Sequence, residues 1–190
     1  LATFYDAYKN CINIKYEDLE SKINKGVEGV FYFDINSPLD KLTIYVDNSY
    51  KVKDDLLTAI LLSHEITHLS QFIIAQKLGK SFSCIDNEVQ AFMNQFYFIN
   101  DLNDEEKRSI DSRIFYYQSG GYKNAPLTRQ TIEGLNKLLV IVEENYYPCA
   151  SKYSHPSEEL NDCFYDSMKT SLEQMIRNNP HYQKQCAVKN

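Results

Sequence analysis

The segment HEITH, residues 64–68, carries two histidines four positions apart, with a glutamate directly after the first. In a helix, residues i and i+4 lie on one face, so His64 and His68 can direct their imidazole nitrogens at a single point. Zinc binds such nitrogens. Glu65, one position on, is suited to accept a proton from a water rather than to bind the ion. The pattern predicts a metal site built for hydrolysis.

The residues around the motif favour this interpretation over two solvent-exposed histidines. The surrounding stretch, LLTAILLSHEITHLSQFII (56–74), is otherwise largely apolar. A buried charged side chain without a partner is costly. A metal would compensate both histidines and give Glu65 a role.

A zinc site for hydrolysis needs a third protein ligand, with water in the fourth position. His155 and His181 are the only other histidines, and Asp86 and Glu88 begin the next predicted helix. These residues taken alone leave the third ligand open.

HEITH followed, after 18 further residues, by NEVQA resembles the gluzincin metallopeptidases of the thermolysin and aminopeptidase kind. The resemblance covers about residues 29–100. It implies a zincin-like fold and a zinc-dependent peptidase with one zinc ion per chain. It also implies that His64, His68 and Glu88 are the zinc ligands and that Glu65 is the general base.

The chain departs from the known subfamilies of gluzincins and related peptidases. Phe92 stands where the thermolysin type has an aspartate, and no GxMEN signature of the aminopeptidases occurs. The extended metzincin pattern is absent, since residues 71 and 74 are Gln71 and Ile74. We therefore expect a compact or divergent gluzincin without an assigned subfamily. Asn94 and Gln95 are candidates for orienting the ligands.

A peptidase also needs a hydrogen-bond donor for the developing oxyanion and a surface for the substrate. His155 and Tyr122 lie in predicted loops and are candidate donors. The segment KLTIYVD (41–47) alternates, with Thr43 and Tyr45 on one face. We expect it to be an edge strand that pairs with a peptide substrate, although an ordinary internal strand fits the alternation equally well.

The order of elements predicts an α+β fold that is mainly α. We expect a short helix at 16–25, followed by an antiparallel β-hairpin of strands 29–35 and 41–47. The HEITH helix follows at 54–78 and the Glu88 helix at 87–99. A C-terminal helical lobe is expected from helices at 103–117, 126–146 and 156–178. A single domain is expected over 1–190, with its core at about 29–100 and the helical lobe at about 101–180.

Composition limits the partners. The formal net charge is −6 and no block of basic residues occurs, so nucleic acid is not expected as a partner. No run of 18 apolar residues occurs, so no membrane span is expected in this chain. A peptide or protein substrate is the expected partner, and the oligomeric state stays open.

The five cysteines leave the cellular location open. Cys149 and Cys163 flank a loop and could form a disulfide in an exported protein, or remain free thiols. Five cysteines, together with a first residue that is Leu1 rather than Met, favour a secreted or cell-surface location over the cytoplasm.

Two further functions compete with a peptidase. One is a catalytically inactive zincin-like module that binds metal or a partner. The other is a helical structural protein without metal. Glu65 has no role as a metal ligand, so its presence in the motif favours the peptidase.

Overall fold

The computed structural model describes residues 12–23, 27–32, 42–50, 55–80, 82–123, 126–153 and 156–186. Within these residues the protein is mainly helical with one small sheet, as the sequence predicts. The elements follow in the order β1 (Ile12–Glu17), α1 (Leu19–Lys22), β2 (Gly29–Tyr32), β3 (Leu42–Asp47), α2 (Asp55–Leu78), α3 (Cys84–Asn100), α4 (Asp104–Gln118), α5 (Pro126–Ala150), α6 (Glu158–Asn178) and α7 (Pro180–Gln185).

The three strands form a mixed sheet in the order β1-β3-β2. β2 and β3 are antiparallel, with Phe31 opposite Ile44, which confirms the predicted pairing of these strands; the predicted turn at 36–40 lies outside the described residues. β1 pairs in parallel with β3 and was not predicted. The predicted helix over 16–25 is wrong at its start, because the chain stays extended through Glu17. Within the described part of this range, residues 16–23, α1 is the helical segment.

β3 is the central strand, so the expectation that residues 41–47 form a substrate-binding edge strand is wrong for the described part of that segment. The whole of β3 has partners on β1, and its residues 43–46 also have partners on β2. Thr43 and Tyr45 therefore lie within the sheet, and Thr43 is buried. The physical reason is β1, which covers the edge that a two-stranded hairpin would have left open.

α2 is the central helix and agrees with the predicted range of 54–78. It ends before Gly79, whose left-handed φ of 64° suits a glycine at a helix C-terminus. Ile60 and Leu69 on this helix are fully buried. α2 packs against β2 on one side and α3 on another. No helix among the described residues is long and apolar enough to cross a membrane.

The later helices pack on one another in sequence from α4 to α7, and α5 and α6 also contact α3. α3 begins at Cys84 with Ser83 as its N-cap, earlier than predicted. Asn103 caps α4 in a capping box with Glu106. α6 packs against both α3 and α5. One buried apolar cluster runs from the sheet through α2 and α3 to α5 and α6, and includes Ile44, Ile60, Val89, Leu138 and Leu172.

Two disulfides join the helices. Cys149–Cys163 links the end of α5 to α6, which resolves the alternative left open by the sequence. Cys84–Cys186 links the first residue of α3 to the residue after α7, across 102 positions, and was not predicted. The fifth cysteine, Cys11, lies outside the described residues.

Candidate metal centre

α2 and α3 bring His64, His68 and Glu88 together in the interior. The two histidine Nε2 atoms are 3.2 Å apart. The Glu88 carboxylate lies 3.4 Å from His64 Nε2 and 3.5 Å from His68 Nε2. His64 and Glu88 are buried, with only 9% and 2% of their surface exposed. Among the described residues, these three form the one group of His, Cys, Asp and Glu side chains that can converge on an ion.

The spacing of these ligand atoms fits zinc. A tetrahedral ion about 2.0–2.1 Å from each ligand requires the ligand atoms to lie about 3.3–3.4 Å from one another. The two histidine Nε2 atoms are 3.2 Å apart and Glu88 Oε2 lies 3.4 Å from His64 Nε2, both close to that value, whereas the 3.5 Å distance to His68 Nε2 belongs to the other oxygen, Oε1. One ligand atom from each of the three residues lies within 4.8 Å of the other two. Two nitrogens and one carboxylate oxygen also form a donor set that zinc uses in catalytic sites. The residues present therefore fit the ion that the motif implies.

The chain's own charges hold this group together. Burial favours the neutral form of Glu88, but hydrogen bonds and charge interactions with His64 and His68 outweigh it and lower the pKa of Glu88 to about 2. Burial likewise opposes the charged form of His68, but its contacts with Glu88 raise its pKa to about 9. The carboxylate is thus ionised, as a metal ligand must be.

Gln71 orients His68. Its amide nitrogen donates to the Asn87 carbonyl at 3.0 Å and to Gln90 Oε1 at 2.9 Å. Gln71 Oε1 is thereby turned towards His68 Nδ1, 3.0 Å away. A proton on Nδ1 leaves Nε2 available to a metal, the usual arrangement for a ligating histidine. Gln71 lies three residues after His68 on the same helical face. This spacing was the feature of the sequence from which its contact with His68 could have been predicted.

An aromatic ring packs against His64 at the position where thermolysin-type enzymes have an orienting carboxylate. Phe92, at the position where thermolysin-type enzymes have an aspartate, packs edge-on with its ring centroid 4.8 Å from that of His64. Asn94 and Gln95, the predicted orienting residues, bind α2 elsewhere. Asn94 donates to Thr67 Oγ1, and Gln95 donates to the Ile60 carbonyl.

Glu65 lies beside the group but faces β2. The backbone N–H of Phe31 donates to Glu65 Oε2 at 2.9 Å. A Cβ atom at Gly29 would lie 3.1 Å from Glu65 Oε1, so the glycine keeps space open next to the carboxylate. Burial, partly offset by the nearby histidines, raises the pKa of Glu65. The bond from Phe31 N–H therefore fixes the orientation of the carboxylate, and burial raises its affinity for a proton.

α7 reaches the same site from the C-terminal end of the described chain. Gln185 Nε2 donates to Glu88 Oε1 at 2.9 Å. The Tyr182 ring packs against Phe92, with centroids 5.9 Å apart. Burial first, and then the negative charges of Glu88, Glu65 and Glu28, raise the pKa of Tyr182. Its phenol is thus protonated and able to donate. Neither residue carried a local signal in the sequence.

An open cleft runs along the site. Its walls come from residues 27–31 around β2, from α2 and α3, from the first half of α5, and from the end of α6 with α7. Glu28, which sequence analysis did not single out, is also on this wall. Thr131 of α5 donates to Glu28 Oε1 at 2.9 Å, and burial raises the pKa of Glu28 to about 7.

The other sequence candidates that the structure describes do not join this group. Tyr122 contacts Tyr116, with ring centroids 4.9 Å apart, and is not among the described residues of the cleft. His155 lies outside the described residues. His181 is exposed at the cleft, and Asp86 accepts from Ser83 Oγ at the start of α3. Thr43 and Tyr45 lie in the central strand.

Comparison of the chain with protein-family models, curated proteins and solved structures gives no match. The chemistry of this protein must therefore be inferred from the site itself.

With any bound metal removed by a chelator, the His68–Glu88 pair predicts greatest stability at mildly acidic pH. The pKa of Glu88 is lowered from 4.5 to about 2, so its contribution is present above pH 4.5 and lost as the pH falls through 2. The pKa of His68 is raised from 6.5 to about 9, so its contribution is present below pH 6.5 and lost as the pH rises through 9.

Thermal unfolding of the chelated protein across this pH range measures the effect. Glu88→Gln is the matched control, because it removes the charge and keeps the side-chain shape. We expect the fall in Tm between pH 6.5 and 9 to be smaller in this variant. Equal falls in the two proteins would contradict the assignment of the effect to this pair.

Proposed function

We propose that this protein is a zinc-dependent peptidase of a compact gluzincin-like type. His64, His68 and Glu88 would hold one zinc ion per chain, and Glu65 would be the general base. The observation that supports this most strongly is the convergence of two histidine nitrogens, 3.2 Å apart, with the two Glu88 oxygens, each within 3.5 Å of one of them, next to a separately oriented carboxylate. The resemblance of HEITH and NEVQA to gluzincins agrees with this assignment.

The zinc ion, when bound, would polarise the substrate carbonyl and make an attacking water more acidic. Glu65 takes the proton of that water and returns it to the leaving amine. Phe31 N–H holds Oε2 in place, so Oε1 is the atom that receives the proton. The raised pKa of Glu65 makes its carboxylate a stronger base than an exposed one.

Tyr182 is the side chain we propose as donor to the developing oxyanion. We prefer it to Tyr122, which is not among the described residues of the cleft; His155, the other residue predicted from sequence, lies outside the described residues. Its phenol lines the same cleft as Glu65 and Glu88 and interacts electrostatically with both. A protonated donor prearranged near the reacting carbonyl is a general means of stabilising such a transition state.

We propose that the substrate lies along β2 rather than β3. β2 is an outer strand of the described sheet, and residues 29–31 line the cleft beside Glu65. Backbone groups of successive residues in an antiparallel strand face opposite sides. Those of Glu28, Val30 and Tyr32 share one side of β2, and those of Gly29 and Phe31 share the other. The Glu28 carbonyl accepts from Asp47 N on β3, whereas Phe31 N–H points away to Glu65. Gly29 and Phe31 therefore present their backbone groups on the outer side of β2, where Phe31 N–H is already bonded to Glu65. We propose that a peptide approaches this side as an added strand next to Glu65.

The two disulfides support a further proposal, that the protein is exported. Disulfides persist mainly in oxidising compartments, and both bonds join helices of the folded chain. Fractionation of the native cells would test this. We expect the protein at the cell surface or in the medium, and a purely cytoplasmic pool would contradict the proposal.

Glu65→Gln separates zinc binding from catalysis. Glutamine can still accept the Phe31 N–H bond through its amide oxygen, but it cannot act as a base. We expect about one zinc per chain in the wild type and in Glu65→Gln, and loss of zinc in His64→Ala. Hydrolysis of a mixed peptide library should fall by about 10²–10⁴-fold in Glu65→Gln.

Each result of this experiment has a distinct meaning. A wild type that binds no offered zinc would rule out the metal site and the peptidase together. Zinc binding without hydrolysis of any peptide in the library would favour an inactive metal-binding module. Equal hydrolysis by Glu65→Gln and the wild type would exclude Glu65 as the base.

Gly29→Ala tests the space beside the general base. The added methyl group would meet Glu65 Oε1 at 3.1 Å and Glu65 Cγ at 3.2 Å, and the carboxylate would have to move. We expect kcat to fall by about 10–100-fold, since a displacement of up to 1 Å can cost that much. The zinc content serves as the control and should not change. Unaltered kcat would argue against a reaction that depends on this carboxylate position.

A further inference from the structure

The C-terminal helix α7 is tied to the metal centre by a covalent bond and two side-chain contacts. Cys84 and Glu88 lie one turn apart on α3 and therefore share a face. Cys186 is bonded to Cys84, and the preceding residue, Gln185, donates to Glu88 Oε1 at 2.9 Å. On α3, the disulfide is thus one helical turn from Glu88, which accepts the hydrogen bond. At its other end, Cys186 is the residue next to Gln185, which donates that bond.

The second contact of α7 leads to another ligand. The Tyr182 ring packs on Phe92, and the Phe92 ring packs on His64. One short helix therefore supports a carboxylate ligand directly and a histidine ligand through a single aromatic ring. Both contacts come from a segment about 100 residues away from α3 in the sequence.

A hydrogen bond to one oxygen of a carboxylate ligand restricts how that carboxylate can turn. A donor to an ionised acceptor also makes a stronger bond than one between neutral groups. Outer partners of this kind orient metal ligands and tune their affinity. Gln185 itself is exposed at the surface, so water competes for its amide. The nearby disulfide keeps the amide at Glu88.

We infer that Gln185 is a positioning residue for Glu88, and that the Cys84–Cys186 disulfide sets the metal affinity of the site by holding α7 against α3. This inference rests on the proposed zinc site. Under this inference, the Cys84–Cys186 disulfide acts on the metal centre. The other disulfide, Cys149–Cys163, joins α5 to α6 and stabilises the packing of those helices.

The test is the zinc affinity of purified full-length variants, measured by competition with a chromophoric chelator. Gln185→Ala is compared with Gln183→Ala on the same helix, where Gln183 donates to the Arg177 carbonyl instead. The double variant Cys84→Ser with Cys186→Ser is compared with Cys149→Ser with Cys163→Ser. We expect Gln185→Ala and the first double variant to bind zinc about 10–100-fold more weakly, and both controls to retain wild-type affinity.

A spectroscopic measurement separates positioning from general stability. Cobalt(II) in place of zinc reports the ligand geometry through its visible absorption bands. We expect these bands to change in Gln185→Ala and to remain as in the wild type in Gln183→Ala. A change in the bands at saturating cobalt cannot come from a lower stability alone.

The outcomes that overturn the inference are distinct from failure of the proposed function. Wild-type affinity and an unchanged cobalt spectrum in Gln185→Ala would exclude its positioning role. Equal loss of affinity in the two double variants would assign the disulfide effect to stability and overturn the coupling. A wild type that binds no zinc would instead remove the proposed function, and this inference with it.

Discussion

The structure depends on keeping four ionisable side chains inside a helical core. His64, Glu65 and Glu88 are at most 9% exposed, and His68 lies beside them. A buried charge is tolerated only with partners that replace water. The two histidines and Glu88 are partners for one another, and Glu65 has the Phe31 N–H. These contacts join β2 to α2 and α2 to α3, in addition to the apolar packing of the same elements.

Around these four residues the chain supplies a set of neutral hydrogen-bonding and aromatic groups. Gln71 fixes His68 and is itself fixed by α3; Phe92 supports His64; Gln185 supports Glu88. Each of the three proposed ligands thus has its own supporting contact, and none of the supporting side chains adds charge to the site. A catalytic metal centre needs such rigidity, because the ligands must keep their separations while the fourth position changes occupant.

Local sequence patterns predicted those structural features that depend on residues close together along the chain. The range of α2 and the shared face of His64 and His68 follow from helical periodicity. The parallel pairing of β1 with β3 depends on segments 30 residues apart, and this long-range contact turned the predicted edge strand into a central one. The roles proposed for Gln185 and Tyr182 rest on contacts made by a segment that a disulfide joins to α3 across 102 positions, and connectivity of this kind cannot be deduced from spacing.

The contact between Glu65 and β2 bears on why residue 65 is a glutamate. Its bond from the Phe31 N–H gives this side chain a structural duty as well, since it joins α2 to the sheet. A glutamine could accept the same bond without the cost of burying a carboxylate. Structure alone would therefore favour the amide. The chain carries the costlier group, 6% exposed and next to three converging side chains, and the role of general base proposed for Glu65 would account for it.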